Sequence, residues 1–140
     1  MEYSKRDAVR YIGKLSNKIR QRMEAIFSSE EFSGTQGRVL SFLLTQERDL
    51  FQKDIEEEYN IRSASATSLL HSMERNGLIT RTVTKEDGRM KKIQVTPKGA
   101  SYKEMIAENR DQLMSSLQEG ISQEEMEVFY SVVERMLANM

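Results

Sequence analysis

Gly77-Leu78-Ile79-Thr80-Arg81-Thr82-Val83-Thr84-Lys85-Glu86-Asp87-Gly88-Arg89-Met90-Lys91-Lys92-Ile93-Gln94-Val95-Thr96-Pro97-Lys98-Gly99 is the stretch whose reading decides the fold. Two β-branched runs, 78–83 and 93–95, flank a polar loop containing Asp87-Gly88, a strong short-range signal for a β-hairpin. Lys85, Arg89, Lys91 and Lys92 fall on the loop and the second strand, so the tip of the hairpin is basic. Directly upstream lies a segment rich in Ser and Thr with helical spacing. A polar helix followed by a cationic two-stranded projection points to a polyanion as partner.

Reading outward, Val9, Ile12, Leu15, Ile19, Met23 and Ile26 recur at three- and four-residue steps and predict a long first helix with one apolar stripe. Ser33 with Gln36 is a capping-box signature and opens a second helix striped by Val39, Leu40, Phe42, Leu43 and Leu44. Gly37 inside that helix is expected to weaken it slightly. Leu50-Phe51 is short enough to be a strand pairing with the hairpin. A third helix over 52–59 turns Ile55 and Tyr59 inward, and Asn60 is a left-handed stop. Ser63 is expected to cap a fourth helix to about Arg75, with Ala66, Leu69, Leu70 and Met73 buried and Asn76-Gly77 ending it.

Thr96-Pro97 starts a further helix with apolar positions at Tyr102, Met105, Ile106, Leu113 and Leu117. Gly120 breaks the chain and Ser122 caps the last helix, striped by Met126, Phe129, Val132, Val133, Met136 and Leu137. The terminal segments, 1–27 and 98–140, are long and amphipathic and need something to cover them. A second copy is the economical answer, because closed two-fold dimers are the commonest oligomers. Met105, Met114, Met126 and Met136 are expected to pack there as gap-fillers.

The formal charge of −1 hides a segregated distribution. Residues 62–103 carry nine Lys/Arg against three Asp/Glu, a net of +6, whereas residues 104–140 carry two against eight, a net of −6. The local field, not the total, attracts a polyanion. Absence of cysteine excludes disulfides and thiolate metal sites, and a single histidine, His71, is too few for a zinc cluster. No Ser/His/Asp arrangement or glycine-rich phosphate loop is readable, so no catalysis and no cofactor are expected. No apolar run of about 18 residues is present and the first seven residues lack the apolar stretch of a signal peptide, which predicts a cytoplasmic protein without a membrane partner.

With these residues laid out, the chain resembles the MarR family of bacterial winged helix-turn-helix transcriptional regulators. Leu78-Ile79-Thr80-Arg81, Asp87-Gly88-Arg89 and Val95-Thr96-Pro97-Lys98-Gly99 carry most of the resemblance, and Phe32-Ser33-Gly34-Thr35-Gln36 matches the lead-in to the second helix. Where the family often has an arginine and an aspartate, this chain has Ser68 and His71. The resemblance implies a mainly α fold with a small β-hairpin wing. One domain, 1–140, would hold a winged helix-turn-helix module at 30–97 (helix-turn-helix about 51–76, wing 78–95), flanked by dimerisation helices at 1–27 and 98–140. It also implies that Arg89 is the wing arginine that enters the minor groove, with Asp87 orienting it, and that a small aromatic effector sits between the dimer helices and the winged module. Tyr11, Met23, Phe42, Tyr102 and Met105 could line that pocket; they equally suit a plain core.

On the fourth helix the expected outward residues are Arg62, Ser63, Ala64, Ser65, Thr67, Ser68 and His71. Short hydroxyls reach base edges or phosphates, and Ala64 suits a thymine methyl. Alternatively these side chains only cap the helix and meet water. On the wing, Lys85, Asp87, Arg89 and Lys91 are the expected contacts, a guanidinium being suited to a narrow A·T-rich minor groove. Gln52, Lys53, Arg75 and Lys92 are candidate phosphate contacts that position without choosing sequence. The residues predict a homodimeric regulator, a repressor, on a pseudo-palindromic operator with reading heads about 34 Å apart, and the resemblance implies its release by a small molecule. The competing reading is a winged protein-interaction module that uses the acidic blocks and binds no DNA.

Overall fold

A computed structural model describes residues 6–83 and 90–140. Residues 1–109 and 110–140 form two compact units. In the first, α1 (Ala8–Phe27) begins at Asp7, whose carboxylate accepts the Val9 and Arg10 N–H groups at 2.9 and 3.3 Å. Its stripe is buried only at one end. Val9 is 81% exposed and Ile12 52%, whereas Met23 packs on the core and Phe27 is buried.

Ser33 caps α2 (Gly34–Thr45) by accepting the Gln36 N–H at 3.3 Å. The Gln36 side chain turns elsewhere: its carbonyl oxygen accepts from Asn76 Nδ2 at 2.8 Å, tying α2 to the far end of the helix-turn-helix. Gly37 does more than weaken a helix. A Cβ there would run into the Phe27 carbonyl, and one at Gly34 would come within 2.5 Å of the Glu24 carbonyl oxygen, so α1 and α2 cross backbone against backbone.

The two-residue strand β1 (Leu50–Phe51) leads into α3 (Gln52–Tyr59), where Asp54 accepts the Phe51 N–H at 2.8 Å and pairs with Arg48 at 3.1 Å. Asn60 stops α3 in the left-handed region, φ 49° and ψ 51°. In α4 (Ser63–Arg75) the residue before the first turn is Arg62, without a side-chain cap, and Ser63 occupies the first helical position instead of capping as expected. The Ser63 carbonyl and hydroxyl oxygens accept from Gln52 Nε2 at 3.2 and 3.4 Å, which draws the residue into the α3–α4 contact. At its other end Gly77, φ +73°, lets Leu78 N–H reach the Met73 carbonyl and Gly77 N–H reach that of Glu74, closing the terminal carbonyls.

The strands β2 (Ile79–Val83) and β3 (Lys91–Val95) pair antiparallel, Ile79 opposite Val95 and Val83 opposite Lys91, and β1 adds on the far side in the order β1-β3-β2. The expected pairing of Leu50-Phe51 with the hairpin is therefore present. Leu40, Ile55, Leu70, Met73, Leu78 and Ile79 are fully buried in one core; each contributes on the order of 1.5–3 kcal/mol. This core seats α4 and the base of the hairpin on a common support.

Thr96 accepts the Gly99 N–H at 3.1 Å and Pro97 opens α5 (Pro97–Ala100). The single helix expected from Pro97 onward tightens at Ser101-Tyr102, where Tyr102 N–H bonds Gly99 one residue early, before α6 (Lys103–Leu117). Tyr102 is held there by edge-on packing against Phe32 and by its hydroxyl, which donates to Glu31 at 2.5 Å. That donor and Lys98 keep the Glu31 carboxyl below its usual range. In the second unit Ser122 and Glu125 form a reciprocal capping box at the start of α7 (Gln123–Ala138). No residue of α7 is buried; Phe129 is 46% exposed and Leu137 69%. No helix among the described residues is long and apolar enough to cross a membrane.

Candidate nucleic-acid interface

The first three turns of α4 present one continuous polar face. Arg62, Ser63, Ala64, Ser65, Ser68, His71 and Arg75 are all exposed, while Ala66, Leu70 and Met73 fill the core behind them. Thr67 is half-buried and its hydroxyl accepts from Gln52 Nε2 at 3.0 Å. Gln52 thus commits its amide nitrogen to α4 and positions that helix, an internal role its sequence position did not reveal. Lys53 and Lys91 are exposed, Arg75 donates to Ser72 Oγ at 3.1 Å, and Lys92 pairs with Asp49 at 3.0 Å. A lysine–aspartate pair at this exposure is worth under about 1 kcal/mol, so Lys92 remains exchangeable toward a phosphate. Lys85, Asp87 and Arg89 lie outside the described residues.

Two groups with no role assigned from the sequence tie this face to its surroundings, and a third joins α2 to α3. Arg81 is one: its side chain is only 10% exposed, and Nε donates to Glu74 Oε1 at 2.5 Å, locking β2 onto α4. The signal was available, because Arg81 lies two residues from buried Ile79 and so shares its strand face. The second is Lys98, which donates to the Asn76 carbonyl at 2.9 Å and pairs with Glu31 at 3.3 Å. The third is Arg38, stacked over Tyr59 at 5.5 Å from the ring centroid.

Among the described residues, the five suggested for an effector pocket take part in separate contacts. Tyr11 is exposed, Phe42 packs edge-on against Tyr59 and Tyr102 against Phe32, while Met23 and Met105 lie on the core. A shallow cleft of about 640 Å³ lies instead beside Glu24, Ser28, Phe32 and Gly34, and none of the five lines it.

Tyr59 donates its hydroxyl to the Arg38 carbonyl at 3.1 Å, and burial pushes the phenol up to about 12. In the unfolded chain it ionises near 10. Its stabilisation is therefore complete below pH 10 and is lost as pH rises toward 12. Between pH 9 and 12 the thermal midpoint of Tyr59→Phe should fall less steeply than that of the parent chain.

A three-stranded sheet, two short helices meeting at a tight turn, and an exposed polar helix beside a hairpin define a winged helix-turn-helix protein. The sequence profile described as the MarR family matches residues 31–90. The "uncharacterized HTH-type transcriptional regulator YdgJ" of Bacillus subtilis is 28% identical over 97 residues, 69% of this chain; the match spans 59% of its own length, about three fifths. Among solved structures, the transcription regulator MarR from Oenococcus oeni PSU-1 superposes with a TM-score of 0.79 at 28% identity, covering 94% of this chain and 99% of that one. S. aureus MepR in its DNA-binding conformation gives 0.86 at 25% identity, over 96% and 98%. The chain is similar to the MarR family: the profile covers residues 31–90, and the two solved structures share its fold along nearly the whole chain. None of these relatives is named as an enzyme.

Proposed function

We propose that this chain is a homodimeric, sequence-specific DNA-binding transcriptional regulator of the cytoplasm, a repressor whose affinity for its operator a small molecule controls. The observation that carries this reading is the exposed face of α4, bounded by Arg62 and Arg75. Its support is the core beneath it, and a similar fold is named in a DNA-binding conformation for MepR. A helix of this kind fills the major groove, where hydroxyls and Ala64 meet base edges and the arginines meet phosphate. The exposed stripe of α1 and the unburied apolar residues of α7 are each suited to a second copy, which would set the reading heads one helical turn apart.

Selection from a random duplex library with the purified full chain tests the proposal. A pseudo-palindromic consensus is the expected result; a protein that enriches no duplex would refute it and leave the interaction-module reading. If about six to ten phosphates are contacted, affinity for the selected duplex should fall roughly 10³- to 10⁵-fold between about 50 and 200 mM salt. Arg89→Ala should cost about tenfold or more on duplexes with an A·T-rich flank and much less where that flank is G·C-rich. Equal losses on both flanks would assign Arg89 to phosphate contact alone.

A further inference from the structure

We propose that Arg81 fixes the tautomer of His71, so that the imidazole presents its Nε2–H outward as a hydrogen-bond donor to an acceptor on the duplex. This rests on the reading of α4 as the helix that enters the groove. The acceptors of that chemistry are purine N7, guanine O6 and the non-bridging phosphate oxygens.

The argument is one of donors and acceptors. Arg81 Nη2 lies 3.3 Å from His71 Nδ1. A guanidinium carries donors only, so a hydrogen bond between these two nitrogens requires Nδ1 to be the acceptor. A neutral imidazole that accepts at Nδ1 carries its proton on Nε2. Arg81 is not free to turn away, because its side chain is nearly buried and its Nε is bonded to Glu74 Oε1 at 2.5 Å. Glu74 itself stands 4.0 Å from Nδ1, beyond hydrogen-bond reach, and does not compete for that nitrogen. The His71 side chain is 62% exposed and shares a helix face with Ala64, Ser68 and Arg75, at spacings of seven, three and four residues. The ring is therefore held from behind by β2 and offers a single donor in front. Arg81 acts as a positioning residue: it never touches the duplex and determines which edge of His71 does.

His71 is the only histidine of the chain, so its imidazole nitrogens give one unambiguous set of resonances. In the free, full-length protein, long-range nitrogen–proton correlation at neutral pH should show the Nε2–H form. A predominantly Nδ1–H form overturns the proposal. Arg81→Lys keeps a cation opposite Glu74 but removes the second nitrogen, and should release the ring to a mixture of tautomers while the protein stays folded. Arg81→Lys with an unchanged tautomer counts against it. Duplex selection is then repeated with His71→Gln, whose amide NH₂ takes the place of Nε2–H, and with His71→Phe, which has no donor.

The phenylalanine variant should bind about three- to tenfold more weakly, and the glutamine variant should recover most of that loss. Loss confined to one position in each half-site identifies a base acceptor, and a uniform loss across sequences identifies a phosphate; either supports the donor. If the parent chain selects a consensus and His71→Phe selects the same one with the same affinity, this inference fails and the DNA-binding reading stands. If the parent chain enriches no duplex, both fall.

Discussion

Gly37→Ala should destabilise the chain by about 3 kcal/mol or more, lowering the thermal midpoint by roughly 10 °C. A single methyl group has this effect because of what it would meet. The Cβ would be driven into the carbonyl oxygen, carbonyl carbon and Cβ of Phe27, and two of these three atoms are main chain with no rotamer to yield. Relief requires α1 and α2 to separate, which uncovers Phe27 and Val39 from the shared core. The matched control is Gly13→Ala on α1, where no atom lies within 4 Å of the added carbon. That change should stabilise by about 0.5–1 kcal/mol, the ordinary gain of helix propensity. Urea unfolding followed by circular dichroism compares the two. Opposite signs are expected, and a Gly37→Ala midpoint equal to that of the parent would mean that the helices do not cross this closely.

On the proposed dimer reading, Ile12→Glu combined with Phe129→Glu should yield a monomer and reduce affinity for a two-half-site operator by about 10²- to 10⁴-fold. Both side chains are about half exposed in the single chain, so a carboxylate at either position costs the isolated fold little. In a dimer the same carboxylates would be buried without partners, a penalty of several kcal/mol. Loss of operator affinity follows from geometry. When two reading heads are joined, the second binds at an effective concentration set by the linkage, and separating them forfeits that factor without altering any contact to DNA. Sedimentation should show one chain per particle with the helical signal retained, while binding to a single half-site changes little. A double variant that stays dimeric would place the interface elsewhere.

Local features of this fold were legible in the residues. Asp87-Gly88 between β-branched runs announced β2 and β3, Asn60 and Gly77 marked the left-handed stops, and Ser33, Thr96 and Ser122 marked helix starts. Each depends on a handful of neighbouring atoms, and short sequence carries that information. The inward faces of α3 and α4 were legible for a similar reason, since an apolar stripe has one stable orientation. Ser63 read as a cap because a hydroxyl just before a helix favours that role; nothing in its neighbours announced that Gln52, eleven residues back, would engage it.

Composition and pattern thus determined a helical chain with a cationic hairpin and a polar helix ahead of it. Three-dimensional packing decided the rest: that Gly37 permits contact instead of only weakening a helix, that Gln36 turns to Asn76, and that Arg81 faces Glu74 and His71. The physical reason is that a hydrogen bond or a close approach depends on which atoms meet within a few ångströms. For groups forty residues apart, only the assembled core brings them to that distance.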